Sequence, residues 1–571
     1  MAEYTNNSRN TNTLKSVWHF RLLSCIFVAS YMYLSLKKHW LRLYKSWLIL
    51  SLLFTALILI PLVVVVGGIF SAGEKTEAIL DATVSAEDVY NTFRLAVSVA
   101  LASFVMGTVS AWLVTQYRFP LRKFFQWALL LPLTIPGYIL AFTWAGIFSF
   151  YGSYHSLLGL LGVTDQKAWH FDIMTFPFLV LILSFSLFPY VYITSKNAFT
   201  GRFASHIESA RSMGVSSLGI FFRIALPLSR PAIAAGLFLV IMETLNDYGA
   251  SSYFGIRTLT TAIFRSWQYD LGAALWIAAV LFFAVFVFLS LERVLRGKKS
   301  YTENIRSVSS PGKILSGWKK ITALLFCSAL FLFAFLIPFA QIIYWSWLTF
   351  EKVVTEKFVI MAWNSFVLAF IAAVTVTSVA LLVAYARHTN RIRLLSSVSS
   401  IGYALPGAII AVGVLVVSGT LDHFFSEYIL MKKGLIFTGS IFFLVFAYVV
   451  RFLAVGYQPV EAAFQKQSLQ LSASARSMGK NTWFTFFKID LPVIKATVIS
   501  AFILVFVDVL KELPLTMILR PFDFNTLATE TYRHAKVMES VPESSNAALI
   551  IVLTGMIPLY LLHRLMNKKN A

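Results

Sequence analysis

Ala210-Arg211-Ser212-Met213-Gly214 recurs letter for letter as Ala475-Arg476-Ser477-Met478-Gly479, and each copy runs on to a Leu-Pro pair, Leu226-Pro227 and Leu491-Pro492. Both features repeat at a spacing of 265 residues (214 to 479, 227 to 492). Arg, Ser and Gly carry the match, so apolar composition alone does not produce it. The chain is an internal duplication, and this polar segment is what its halves share most closely. Further out, Pro136-Gly137 with Ala141 returns as Pro406-Gly407 with Ala411, 270 residues on (136 to 406). Asn91 answers to Asn364, at a spacing of 273 (91 to 364). The drift from 273 to 265 fits loops of unequal length between equivalent helices.

The 571 residues are 58% hydrophobic and only 13% charged, with a mean hydropathy of +0.74. A soluble domain carries about 25% charge, so the chain reads as an all-α polytopic membrane protein. Twelve apolar runs lie near 47–71, 93–116, 126–149, 176–196, 228–250 and 270–293, then near 319–346, 364–386, 397–420, 435–456, 493–515 and 545–565. Each is long enough to cross a hydrocarbon core of about 30 Å. The resulting segments are a basic N-terminal cytoplasmic or interfacial stretch (1–46), a first repeat (47–296), a polar cytoplasmic linker (297–318) and a second repeat (319–571). Leu22–Leu36 is apolar but short, and is expected as an interfacial or loosely packed segment rather than a cleaved signal peptide, because Lys37-Lys38 and the first span follow directly; as a thirteenth span it would turn the N-terminus outward. Cys25 and Cys327 sit in separate apolar runs and read as small core residues.

A formal charge of +22 could suggest nucleic acid, but the basic residues cluster at the ends of apolar runs. Lys37, Lys38, Arg42 and Lys45 precede the first span; Arg118, Arg122 and Lys123 follow the second; Arg202, Arg211 and Arg223 follow the fourth; Arg293, Arg296, Lys298 and Lys299 follow the sixth. Arg387, Arg391 and Arg393, then Arg451, then Arg564, Lys568 and Lys569 continue the alternation. The positive-inside rule then puts both termini and both repeated segments in the cytoplasm. Six spans per half give the repeats one orientation, so they can pack about a pseudo-two-fold along the membrane normal with a pathway between them.

Residues 200–227 and 465–492 are too polar to be spans. Each begins with a helical pattern, meets Gly214 or Gly479, and passes through Ile220-Phe221-Phe222-Arg223 or Thr485-Phe486-Phe487-Lys488 to the Leu-Pro pair. A glycine there can take positive φ and end the helix, and the proline suits the first turn of the next span. Such a helix–Gly–helix knob is a docking element, and the small Ala210 and Ala475 would let a partner approach closely.

Glu208-Ser209-Ala210, then Gly214, then Leu226-Pro227 resembles the EAA loop of ABC importer permeases, which lies between the fourth and fifth spans of a six-span core. The resemblance implies a type I importer permease with two fused six-helix repeats in pseudo-two-fold arrangement. Each loop, with Glu208, Ala210, Gly214, Ala475 and Gly479 as coupling residues, would insert into one of two copies of a cytoplasmic ATPase. Glu208 becomes Ala473 in the second copy, so an ion pair made by Glu208 would exist on one side only. The chain has no P-loop of its own, since Gly297-Lys298-Lys299, Gly312-Lys313-Ile314 and Gly479-Lys480-Asn481 all lack the required Ser or Thr. It is expected to be no enzyme and to bind no cofactor, with ATP and Mg on the partner.

Glu243 and Asp247 close the fifth span, and Asp508 and Glu512 close the eleventh, at the same 265 spacing (243 to 508, 247 to 512). Within each pair the carboxylates are four apart and would share a helix face. Carboxylates near the bilayer are costly unless paired or hydrated. They therefore fit either a water-filled, negatively lined pathway or a structural use, with Lys511 able to neutralise Glu512. Glu243-Thr244-Leu245-Asn246-Asp247-Tyr248-Gly249 and Val509-Leu510-Lys511-Glu512-Leu513-Pro514, followed by Leu519-Arg520-Pro521-Phe522, resemble fused ferric-iron permeases. That resemblance implies import of Fe³⁺ across a bacterial inner membrane, delivered by a periplasmic binding protein. Iron is a hard cation that prefers oxygen ligands; cationic thiamine and 2-aminoethylphosphonate remain open. A secondary transporter has no need of a repeated docking knob, and the histidines, His19, His39, His155, His170 and His206 among them, show no paired metal-ligand spacing.

Overall fold

The computed structural model describes residues 46–70, 74–163, 169–200, 204–296, 313–390, 399, 402, 405–428, 435–467, 469–480 and 482–568. The expectations for residues 1–45, with Leu22–Leu36, Cys25, His19 and His39, and for linker residues 297–312, lie outside the described residues.

The first half comprises α1 (Ser46–Gly67), α2 (Ala86–Gln116), α3 (Arg122–Ala128), α4 (Gly137–Phe148), α5 (Phe176–Thr200), α6 (Ala204–Ser212), α7 (Leu226–Asn246), α8 (Gly249–Tyr253), α9 (Leu259–Ser266) and α10 (Leu271–Arg296). The second begins with α11 (Gly317–Leu348), α12 (Glu356–Asn390), α13 (Gly407–Tyr428) and α14 (Ile441–Lys466). It continues with α15 (Leu469–Ser477), α16 (Leu491–Leu510), α17 (Pro514–Leu519), α18 (Leu527–Tyr532) and α19 (Val541–Lys568). Two-residue strands, β1 (Tyr117–Arg118) and β2 (Lys313–Ile314), pair in parallel and fasten the linker's end beneath the first half.

Among the described residues eleven helices are long and apolar enough to cross a membrane, and one bent helix pair passes the same test of length and composition. The straight span expected at 126–149 is instead two pieces, Arg122–Thr134 and Gly137–Leu160, meeting at 92°. Pro136 is the cause: it lacks an N–H and forces Ile135 out of the helical region, to φ −97° and ψ 107°. The second copy of this break, Leu405-Pro406, immediately precedes α13, which starts at Gly407; of the expected 397–420, residues 397, 398, 400, 401, 403 and 404 lie outside the described residues.

The duplication is legible in hydrogen bonds as well as in letters. α9 and α18 both open on a Thr-x-x-Thr capping box, Thr258 with Thr261 and Thr526 with Thr529. The next amide is then held by a hydroxyl from the second span of its own half: Leu259 N donates to Thr92 Oγ1 (2.8 Å), and Leu527 N to Ser365 Oγ (3.0 Å). The first spans are exchanged between halves. α1 packs on α12 and α13, while α11 packs on the first half and on α19. One buried apolar cluster runs through both halves, and a second joins the knob-side ends of α2, α5 and α11 to the first repeated segment.

Candidate functional site: two knobs and a charged cavity between the halves

Both repeated segments end their helices in the same way. Gly214 has φ +77° and Gly479 φ +78°. Val215 N donates to Ala210 O (3.1 Å) and Lys480 N to Ala475 O (3.2 Å), closing the wide C-terminal turn that a left-handed glycine permits. The expected docking face needs one correction. Ala210 and Ala475 are 6% and 5% exposed. They face the chain's own core, so their small size lets the knob sit close beneath the bundle. The outward surface is made by three matched apolar positions, Met213, Leu218 and Phe222 in one knob and Met478, Trp483 and Phe487 in the other. Glu208 is half-exposed and lies 3.9 Å from Arg211, whose guanidinium also donates to Gln116 Oε1 at the end of α2 (3.2 Å).

An aromatic joint roots each knob in the bundle. Trp112 of α2 meets Phe199 of α5 at 5.5 Å and Phe221 at 5.2 Å between ring centroids. Tyr385 of α12 meets Phe464 of α14 at 5.9 Å and Phe486 at 4.7 Å. In each half the turn after this ring, Phe221–Ala225 or Phe486–Asp490, is an overwide helical turn of the kind found at functional joints. Sequence reasoning missed Trp112 and Tyr385 because their letters differ; only their 273 spacing marks them. The second root also holds a buried carboxylate, Asp490, which accepts from Gln467 Nε2 (2.6 Å) and Ser472 Oγ (2.7 Å). The first half has apolar Ile207 and Ala225 in the places of Ser472 and Asp490.

Glu243, Asp247, Asp508 and Glu512 all line one cavity of about 110 Å³ between the halves, with Arg451, Lys511 and the Pro136-Gly137 break also in its wall. The pairs do not share a helix face as expected. α7 ends at Asn246, and Asp247 has left the helical region (φ −68°, ψ 118°); α16 ends at Leu510, before Glu512. Each outer carboxylate caps the short helix that follows. Asp247 accepts from Ser251 N (2.8 Å), Ser251 Oγ (2.8 Å) and Ala250 N (3.3 Å), and Glu512 from Leu515 N (3.2 Å). Cavity lining and structural use therefore coincide in the same residues.

The cations are also placed differently from expectation. Lys511 pairs with Asp508 (2.7 Å), not with Glu512. Glu512 pairs with Arg451 at 3.2 Å, with both side chains about 95% buried. Arg451 is therefore no marker of a basic loop; it lies mid-helix in α14, where a lone charge is tolerable only against a carboxylate. Its guanidinium also donates to Leu405 O (3.0 Å), as Ser186 Oγ does to Ile135 O (3.0 Å) in the first half. Both donors satisfy the carbonyl just before the Pro-Gly break. Gly407 leaves room for this pair, since a Cβ there would lie 2.7 Å from Glu512 Oε1 and 3.1 Å from Arg451 Nη1 and would make one of them shift. Its N–H donates across the halves to Asn246 Oδ1 (2.7 Å). Among the described residues no three His, Cys, Asp or Glu converge to hold a metal ion.

At the ends of α7 and α16 away from the knobs, two equivalent clefts open, of about 670 Å³ in the first half and about 500 Å³ in the second. In the first, buried Asp88 pairs with Arg265 (2.6 Å) and Arg257 (3.4 Å). In the second, Glu530 is held by Arg533 and by His534 (3.1 Å). Burial alone would raise the Glu530 carboxyl, but the hydrogen bonds from His534 and Arg533 outweigh it and bring it from 4.5 down to about 2. The carboxylate thus stays charged over any physiological range.

The sequence pattern of the family described as binding-protein-dependent transport system inner membrane component matches residues 103–291 and again 377–571. The Fe(3+)-transport system permease protein FbpB 2 of Haemophilus influenzae is 26% identical over 489 residues, covering 84% of this chain and 90% of that one. The sulfate transport system permease protein CysT of Salmonella typhimurium is 29% identical over 208 residues, 35% of this chain and 73% of its own. The spermidine/putrescine transport system permease protein PotB of Escherichia coli is 25% identical over 222 residues, 37% of this chain and 80% of its own. Two matches to one family, filling most of the chain and separated as the repeats are, identify it as an ABC importer permease with fused repeats, a member of the binding-protein-dependent transport system inner membrane components.

Proposed function

We propose that this chain supplies both transmembrane halves of an ATP-driven importer of ferric iron. A soluble binding protein delivers the cargo to the far side, and two copies of an ATPase dock on the knobs in the cytoplasm, where both termini also lie. The observation that carries the reading is the placement of four symmetry-related carboxylates around one cavity between the halves, with a knob rooted beneath each half. Arg451 pairs with Glu512 and Lys511 with Asp508, and four carboxyl groups in all line the wall. A wall rich in carboxyl oxygens suits a hard, oxygen-seeking cation in transit, and a relative spanning 84% of this chain is named as an Fe(3+) permease.

ATP-driven closure of the partner dimer would press on the exposed apolar positions of the knobs. The aromatic joints would pass that displacement to α2 and α5 in one half and to α12 and α14 in the other. The cavity would then change the side it opens to, and release would follow hydrolysis.

A second reading, an oxyanion such as sulfate, draws on the same two cavity cations and on the CysT relative. Labelled Fe³⁺ and labelled sulfate uptake decides between them, in cells lacking this chain and in the same cells complemented with it. The iron reading expects restored Fe³⁺ uptake that stops when the ATPase is disabled, with sulfate uptake unchanged. Restored sulfate uptake, or no Fe³⁺ difference with the chain in the membrane, would refute it and leave the permease architecture intact.

A further inference from the structure

On the knob side of the first half lies a group of cations that no carboxylate answers among the described residues. Arg118 follows α2 in the short strand β1, Arg122 opens α3, and Lys196 lies near the end of α5. Arg122 feels the like charges of Arg118 and Lys196. Among the described residues their partners are neutral. Arg122 donates to the carbonyls of Val114 (2.7 Å) and Thr115 (3.2 Å). Lys196 donates to Gln126 O (3.2 Å) and stands 5.7 Å from the Tyr192 ring centroid. Arg122 and Lys196 are partly buried, and the strand pairing adds Lys313 beside Tyr117. Gathering half-buried like charges is costly unless an anion from elsewhere completes the group.

The second half supplies an internal control. At the 265 spacing Lys196 becomes Glu461 and Tyr192 becomes Tyr457. There Glu461 forms an ion pair with Arg387, whose guanidinium also reaches the Tyr457 hydroxyl (3.4 Å). Among the described residues, the position of Lys196 is therefore paired from within in the second half, while Lys196 itself meets no carboxylate. Leu121 and Phe124, both exposed and apolar, flank Arg122 at the start of α3. Apolar side chains beside cations at the end of a membrane span suit the level where acyl chains meet headgroups.

We propose that Arg118, Arg122 and Lys196 bind the phosphate of an anionic phospholipid headgroup, at the first half only. The guanidinium of Arg122, held at the mouth of α3, offers the planar fork that matches phosphate oxygens. Lys196 adds a point charge from α5. The lipid would thereby join α2, α3 and α5 at the root of the first knob, where the second half uses its own Arg387–Glu461 pair. The ligand class is independent of which substrate the permease carries.

The test is native mass spectrometry of the purified full chain in detergent, titrated with phosphatidylglycerol and with phosphatidylethanolamine of the same acyl chains. Three cations near the surface predict a preference for phosphatidylglycerol of roughly 150-fold. Lys196→Glu, which copies the second half and gives Arg122 a partner of its own, should remove that preference without disturbing the fold. Lys196→Arg should keep it. Equal binding of the two lipids by the wild-type chain, or an unchanged preference in Lys196→Glu, would overturn the proposal. Displacement of phosphatidylglycerol by millimolar inorganic phosphate would overturn the lipid assignment in favour of a soluble phosphate.

Discussion

Arg451→Met is expected to destabilise the chain by about 3–5 kcal/mol, because it strands Glu512 as an unpaired buried charge. Both partners are about 95% buried, and Lys511, the nearest alternative cation in sequence, is already committed to Asp508. Methionine fills much of the volume of arginine, so lost packing contributes little and the effect isolates the charge. The loss has a second part, since the carbonyl of Leu405 gives up its donor at the break before Gly407. The double variant Arg451→Met with Glu512→Gln should regain most of the stability, because a neutral amide can still accept from Leu515 N. Unfolding midpoints of the purified chain in detergent, measured for the two single variants and the double, read the coupling directly. Additive losses would show that the pair does not hold the two helices together.

Gly214→Val and Gly479→Val should leave the protein inserted and folded yet reduce transport by roughly tenfold each. The glycines sit at φ +77° and +78° with open space around the position a Cβ would take, so the penalty is backbone strain alone. For a residue with a Cβ that strain is about 1–2 kcal/mol, and a branched side chain adds to it. The cheapest relief is to unwind the last turn of α6 or α15, which moves Met213 or Met478 out of the docking face. Asn tolerates the left-handed region better than other residues, so Gly214→Asn and Gly479→Asn should retain most of the uptake. Val variants that transport normally would remove the glycine turn from the coupling account. Two damaged knobs belong to one machine, so the double Val variant should lose less than the product of the singles would suggest.

The parts of this molecule that are legible in sequence are those fixed by local rules. Apolar length alone marks the helices, and the glycine of Ala-Arg-Ser-Met-Gly demands its positive φ wherever the chain goes. Repetition at one spacing marks the two knobs and the four cavity carboxylates. What stayed hidden depends on which helices become neighbours. Arg451 looks like another basic residue at the end of an apolar run, and only the packing of α14 against the end of α16 shows that it answers Glu512. Pro136 signals a break, yet whether the chain bends or continues straight is set by the space available on either side. Asp247 and Glu512 sit four residues after Glu243 and Asp508, a spacing that reads as one helix face until the helices are seen to end between them. Ala210 and Ala475 are small for the sake of the chain's own core, a role that the EAA resemblance does not reveal.

The central claim is that closure of a partner ATPase is transmitted through both knobs. The most direct measurement is the distance between spin labels at Met213→Cys and Met478→Cys, on the exposed tips, in the full chain assembled with its ATPase and binding protein. To keep the labels specific, Cys25 and Cys327 are replaced by Ala. A shorter distance is expected with ATP trapped than without nucleotide, with a return after hydrolysis. An unchanged distance in a complex that transports would contradict it.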